Sequence, residues 1–216
     1  MPSIVGIQAE NAKLAKTKAA AIKDPKTGRI AIARGVRAST FNREGAGVII
    51  DQSGLIVTNA HTIQGANRIV VTLHNKTQIS ADVISLVANE DIAFIHIASP
   101  LPLTPIAISN SNNVKLGDKV YTVGNSEFLD GTISGGRITG LGKKDKYKDK
   151  TIAPVAVIQT SFNVYKGDSG GPLLDKEGKL LGLIVARRTK SSHVSLAIPS
   201  SKIMLYYKNM LESKTQ

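Results

Sequence analysis

Short β-type apolar runs, separated by turn residues, recur along most of the chain. Ser3 to Gln8 reads as a first strand. A Lys/Ala-rich stretch, residues 10 to 45, reads as a loop, with Arg29 to Arg34 as an extra strand inside it. Ala46 to Asp51 and Leu55 to Asn59 flank Gln52-Ser53-Gly54, a hairpin signal because glycine supplies the positive φ of such a turn. Arg68 to Leu73, Gln78 to Val87 and Ile92 to Ile97 bring the count to about six strands before residue 98.

Residues 98 to 114 contain three prolines and little periodicity, and read as a connection. The strand pattern resumes in Lys119 to Val123, Thr132 to Leu141, Val155 to Thr160, Gly171 to Leu174, Leu180 to Val185 and Val194 to Ile198, with a second hairpin signal at Asp175-Lys176-Glu177-Gly178. Only the tail, Pro199 to Ser213, reads as a helix, with Ile203, Tyr207, Met210 and Leu211 near one face. The pattern predicts an all-β chain: one domain over 1–216, built from two packed six-stranded antiparallel barrels (1–97 and 115–198), a connection (98–114) and a closing helix (199–213). A cleft between barrels is a natural place for a site.

Composition sharpens this picture. Aromatic residues are 4% and Trp is absent, so the core rests on Val, Ile, Leu and Ala, which suits strands. With no cysteine, disulfides and thiolate metal sites are excluded, which argues against an animal secreted protein. No apolar run approaches the roughly 20 residues of a membrane-spanning helix. The net charge of +12 is concentrated in Lys13 to Arg43 and in Lys143 to Lys150. Charge of this kind attracts acidic partners, but no zinc finger or RNA-recognition signature accompanies it. The two stretches are read as solvated loops, and no specific nucleic-acid partner, metal or cofactor is expected. No signal peptide precedes Ser3; the chain is cytoplasmic, or its targeting segment lies outside this numbering.

The strongest chemical signal is Gly167-Asp168-Ser169-Gly170-Gly171-Pro172. A serine nucleophile must project its Oγ into a cleft while N–H groups point at the same spot, and flanking glycines permit that turn. Amides across Gly167-Asp168-Ser169, those of Gly167 and Ser169 foremost, can form an oxyanion hole, at about 3 kcal/mol per donor. The string also matches G-x-S-x-G, but a hairpin rather than a helix follows the serine, so the α/β-hydrolase elbow is rejected. Of four histidines, His61 ends a strand where it gives way to a loop. His74 lies in a polar turn, His96 inside an apolar strand and His193 in a Ser/Lys loop. Asp91 begins an apolar strand, where it reads either as a partly buried carboxylate that a histidine N–H would partner or as a plain strand-start or turn aspartate. The order is His, Asp, Ser, with the first two in one half and the serine in the other, as a site across an inter-barrel cleft requires.

These residues sit within strings that resemble the HtrA proteases, a bacterial-type branch of the trypsin fold. The matching strings are Gly45 to Asp51, Gly54 to His61, Asp91-Ile92-Ala93, Gly117 to Val120, Val123-Gly124-Asn125, Ile158-Gln159-Thr160, Gly170 to Leu173 and Ala197 to Ser200. The resemblance implies His61 as general base, Asp91 as its orienter and Ser169 as the nucleophile of a peptide-cleaving reaction through an acyl-enzyme. It also implies a periplasmic or cell-envelope setting, polypeptide substrates that are unfolded or damaged, and a trimer. No PDZ domain follows residue 216 and the trimer-forming segment before the first strand is missing, so a homo-oligomer is an open expectation.

Two departures stand out. Ser161 to Lys166 lacks the family's usual Asp-Ala-Ala-Ile-Asn-Pro, and Asp168 replaces the commoner Asn. The substrate pocket is expected to draw on Asn163, Tyr165, Lys166, Val185, Ala186 and Arg187. The uncharged Asn163, where trypsin-type enzymes place their specificity residue, argues against a strict demand for Lys or Arg. Asp168 also raises the chymotrypsin-like possibility of pairing with a new N-terminus at Ile4. The competing reading of the whole is a protease-fold scaffold, inactive or latent, that binds acidic partners.

Overall fold

The structure is a computed structural model that describes residues 1–16, 20–23, 30–33, 36–124, 132–143, 156–185 and 195–213; of 11–42, 143 and 156 only the backbone course is described. The first half holds β1 (Ile4–Lys16), β2 (Ala20–Lys23), β3 (Ile30–Ala33), β4 (Val36–Ile49), β5 (Leu55–Thr58), a single helical turn α1 (Ala60–Ile63), β6 (Arg68–Thr72), β7 (Gln78–Val87) and β8 (Ile92–Ile97). The second holds β9 (Lys119–Val123), β10 (Ile133–Lys143), β11 (Ala156–Thr160), β12 (Pro172–Leu174), β13 (Leu180–Val185), β14 (Ser195–Pro199) and the helix α2 (Ser200–Glu212).

Two closed antiparallel barrels result, in strand order β1-β4-β5-β8-β7-β6 and β10-β11-β14-β13-β12-β9. Within each barrel, closure gives every strand a neighbour on both sides. Burial follows the two-residue period of a strand in β8 and is shifted by an irregularity near Leu181 in β13, and it explains which runs lack polar positions. In β8, Ala93, Ile95 and Ile97 fill the first barrel, while Ile92 and Phe94 point outward into a cluster shared with the second barrel. In β13, Leu181 and Ile184 fill the second barrel, and Leu180, Leu183 and Val185 join the shared cluster. Both strands bury two faces, so both read as continuous apolar runs. The shared cluster packs the two barrels against each other.

The connection after β8 is pinned to both barrels. Ile106 N–H donates to the Ile49 carbonyl at 2.9 Å, and Leu180 exchanges bonds with Ala107 and Ser109. The chain then enters a short 3-10 turn at Ser111–Asn113.

The expectation of a loop over residues 10–45 is corrected. β1 runs on to Lys16 and β4 begins at Val36, paired from Ile4↔Val48 to Lys16↔Val36 in unbroken register. β2 and β3 form a further hairpin within this arm, so the extra strand expected near Arg29 to Arg34 is β3. The ladder propagates outward from the barrel through backbone bonds, which any side chain tolerates, so no apolar run announces it. Past the Glu10↔Arg68 pair, β4 is the only strand recorded beside β1 among the described residues.

On α2, Ile203 and Met210 are buried in the shared cluster, and Tyr207 packs its ring 6.3 Å from that of Phe94. Leu211 was expected on this face but is 45% exposed. At 100° per residue it falls at the rim of the stripe that Ile203, Tyr207 and Met210 define. Among the described residues no helix is long and apolar enough to cross a membrane.

Candidate active site

Asp91 organises the first half of the site. It follows a 3-10 turn, Ala88–Glu90, and takes the left-handed conformation at φ 56°, ψ 36°. Aspartate tolerates that conformation better than most residues, and here it re-aims the chain just before β8. The residue is 3% exposed. Its carbonyl accepts from Ala60 N–H at 3.2 Å and from Asn59 Nδ2 at 3.1 Å. Its carboxylate accepts from the His61 backbone N–H at 2.9 Å, and the His61 ring Nδ1 lies 2.9 and 2.8 Å from its two oxygens. The turn Asn59–His61 is thus wrapped around one aspartate.

This arrangement orients the imidazole. Nδ1 faces a carboxylate, so it carries the proton, and Nε2 is left as the basic nitrogen. The His61 side chain is 41% exposed and that of Asp91 only 4%, so the acid is shielded while the ring meets solvent. Arg43 adds a second support: its Nη1 donates to the carbonyls of His61 at 2.9 Å and Gln64 at 2.8 Å. A cation at the carbonyl end of a helical turn is favourably placed.

The serine segment arrives from the other barrel. Ser169 is 7% exposed, and its carbonyl accepts from Ala46 N–H at 2.7 Å. Gly170, at φ 82°, lies so close to the first barrel that a Cβ would stand 2.2 Å from the Ala46 carbonyl oxygen, 2.4 Å from Thr58 Oγ1 and 3.2 Å from Asn59 N. Thr58 Oγ1 itself donates to the Ala46 carbonyl at 2.7 Å. The chain around Ser169 is therefore seated on the residues that lead directly into the His61 turn.

Gly167 turns at φ 103°. Between it and Ser169, the Asp168 N–H donates to the Tyr165 carbonyl at 3.1 Å, and the Asp168 carboxylate accepts from the Tyr165 N–H at 2.7 Å. Asp168 thus braces the loop, its own amide turned to Tyr165, which leaves Gly167 and Ser169 as the amides to consider for an oxyanion. Ile4 is engaged elsewhere: it pairs with Val48 in the barrel ladder and its N–H donates to the Met1 carbonyl at 3.2 Å.

Of the residues expected in a substrate pocket, Asn163, Tyr165 and Lys166 are exposed on the loop before Ser169, whereas Val185 is packed in the cluster between the barrels. Ala186 and Arg187 lie outside the described residues, as does His193. His96 is half-buried in β8 with Nε2 donating to the Ser53 carbonyl at 2.9 Å, and His74 sits in an exposed turn. Among the described residues no cluster of His, Cys, Asp and Glu could hold a metal ion.

The family described as trypsin-like peptidase domain matches residues 45–183, a span that holds His61, Asp91 and Ser169. The chain belongs to this family. Its HtrA character shows in its relatives. It is 38% identical over 160 residues to protease Do-like 1, chloroplastic, of Arabidopsis thaliana, covering 72% of this chain and 36% of that one. It is 34% identical over 168 residues to the periplasmic pH-dependent serine endoprotease DegQ of Escherichia coli, covering 76% and 36%. The chain thus spans little more than a third of the length of these relatives. Among solved structures it is similar to the HtrA-type protease AlgW with decapeptide, at TM-score 0.75 and 23% identity over 98% of this chain and 65% of that one, a likeness of fold.

Sequence reasoning missed Arg43, which stands among many cations in a stretch read as loop and carries no local sign of its role. Asn59 lay inside a quoted string, but its bond to the Asp91 carbonyl becomes legible only once the two segments meet.

Proposed function

We propose that this member of the trypsin-like peptidase family is a serine endopeptidase in which Ser169 attacks, His61 transfers the proton and Asp91 holds His61. The observation that carries the reading is the double hold of Asp91 on His61, beside the docked Ser169 segment. In this reading His61 Nε2 takes the Ser169 hydroxyl proton as Oγ adds to the peptide carbonyl. The Gly167 and Ser169 amides receive the negative charge that develops on the carbonyl oxygen. His61 then returns the proton to the departing amine, an ester to Ser169 remains, and water reverses the same steps to release the acid.

The substrates are exposed or unfolded polypeptide segments, and the setting is the cell envelope. Relatives named as periplasmic serine endoproteases support the setting and a polypeptide substrate. The uncharged, exposed Asn163 suits a pocket without a strict demand for a basic side chain.

A fluorophosphonate probe tests the reading. It should label the wild type and fail to label Ser169→Ala, and that substitution should lower turnover of an unfolded protein by about a million-fold. An unlabelled, inactive wild type would point to the scaffold instead.

A further inference from the structure

The 3-10 turn that delivers Asp91 joins β7 to β8 and is closed at its base by the Val87↔Ile92 pair, but its own residues have little else to hold them. Ala88 and Asn89 are exposed, and no residue of the turn is fully buried. Among the described residues its one side-chain anchor is Glu90. That carboxylate lies 2.6 Å from Lys202 Nζ through Oε2 and accepts from the Tyr206 hydroxyl at 3.4 Å through Oε1. Lys202 and Tyr206 stand four residues apart on α2, one turn above the other, so both reach the same point. The pair is well shielded, with side-chain exposures of 27% for Lys202 and 15% for Glu90.

We propose that Glu90, clasped by Lys202 and Tyr206 of the C-terminal helix, is a positioning residue for Asp91. The inference rests on the peptidase reading and deepens it. Asp91 sits at positive φ, a conformation that persists only where its surroundings over-determine it. On its C-terminal side β8 supplies that restraint, being paired to β5 and β7 and buried. On its N-terminal side the Asp91 N–H closes the turn on the Ala88 carbonyl at a long 3.3 Å. The Glu90 clasp supplies what that weak closure lacks, and it ties the turn to α2, whose Ile203 and Met210 are rooted between the barrels. Without it the turn relaxes and the Asp91 carboxylate drifts from the His61 ring. Since a misplacement near 1 Å can cost about a hundred-fold in rate, a partial loosening should cost about ten-fold.

The test counts active sites with a fluorophosphonate in the full chain and measures kcat per titrated site and KM on an unfolded protein substrate. Lys202→Met should lower kcat per site about ten-fold with KM changed by less than about two-fold, as expected when orientation and not binding is lost. Lys202→Arg, which keeps the cation, should restore most of it, and so should the charge exchange Glu90→Lys with Lys202→Glu. A wild type that neither labels nor cleaves overturns the peptidase reading and the clasp with it. An active wild type whose Lys202→Met variant keeps its kcat per site overturns the clasp alone, as does a loss that appears only as fewer titrated sites. Should Lys202→Met leave no sites to titrate, Glu90→Gln decides: it keeps the shape and the Tyr206 contact, and an unchanged kcat per site overturns the proposal.

Discussion

His61 gives two hydrogens to one carboxylate: its backbone N–H and its ring Nδ1 both meet Asp91, at 2.9 Å and at 2.8–2.9 Å. The same side chain thereby sets where the His61 main chain runs and which ring nitrogen stays basic. Asp91→Asn splits these tasks. The remaining oxygen can take one N–H, but the new amide NH2 must face the other, and it favours the ring tautomer with the proton on the wrong nitrogen. Peptide hydrolysis should fall by about 10⁴-fold in kcat, as it does when a triad aspartate loses its charge. Circular dichroism should show the fold retained. Activity within about ten-fold of wild type would remove Asp91 from the triad.

Gly170→Ala tests the seating of the serine segment. At φ 82° a side chain is strained, and its Cβ would stand 2.2 Å from the Ala46 oxygen, a backbone atom that cannot swing away. The segment must lift from the first barrel or the barrel must shift. Overpacking of this kind costs about 1–3 kcal/mol, to which the left-handed backbone adds about 1–2 more. Urea denaturation should show that loss, and hydrolysis should drop with it because Ser169 moves relative to His61.

Much of this architecture was legible in the chain because it rests on local signals. Hairpin turns such as Asp175 to Gly178, where the Asp175 carboxylate accepts from Glu177 N and Lys179 N, announce themselves in sequence. So do strands such as β8 and β13, whose apolar runs reflect burial on two faces. The β1–β4 arm was not legible, since its Lys/Ala-rich sequence shows no two-residue hydrophobic period and its pairing is a backbone ladder. The site divided in the same way. His61, Asp91 and Ser169 lie in recognisable strings, whereas Arg43, Glu90 and Lys202 act through partners 18 to 112 residues distant, which only folding brings near.

Asp51 gives the chain an acid-sensitive turn. Its carboxylate accepts from the Ser53 N–H at 2.7 Å, and the Ser53 side-chain and backbone hydrogen bonds hold it below the ordinary aspartate value. A lowered native pKa means the carboxylate stabilises the fold fully above the unfolded value of about 3.9, and progressively less as pH falls through the native value. Asp51→Ala should therefore be less stable than wild type near neutrality, with the gap closing below about pH 4. Urea midpoints for both proteins across that range check the sign. A gap of equal size at low pH would mean the turn does not depend on the charge.

Arg43 sits where the arm joins the barrel, and its guanidinium holds the carbonyls of His61 and Gln64 at 2.9 and 2.8 Å. Those carbonyls end a helical turn too short to satisfy them itself. Arg43→Ala should leave them to water at a modest cost in stability, about 1 kcal/mol for exposed bonds of this kind. Its effect on rate should be larger than that cost suggests, since the α1 turn also carries the imidazole. Arg43→Lys places a charge in the same region without the planar fork, and should recover stability better than activity. The measurement is kcat per titrated site beside the urea midpoint for both variants. If both quantities fall in strict proportion and Lys restores them equally, Arg43 braces the fold and has no separate part in orienting His61.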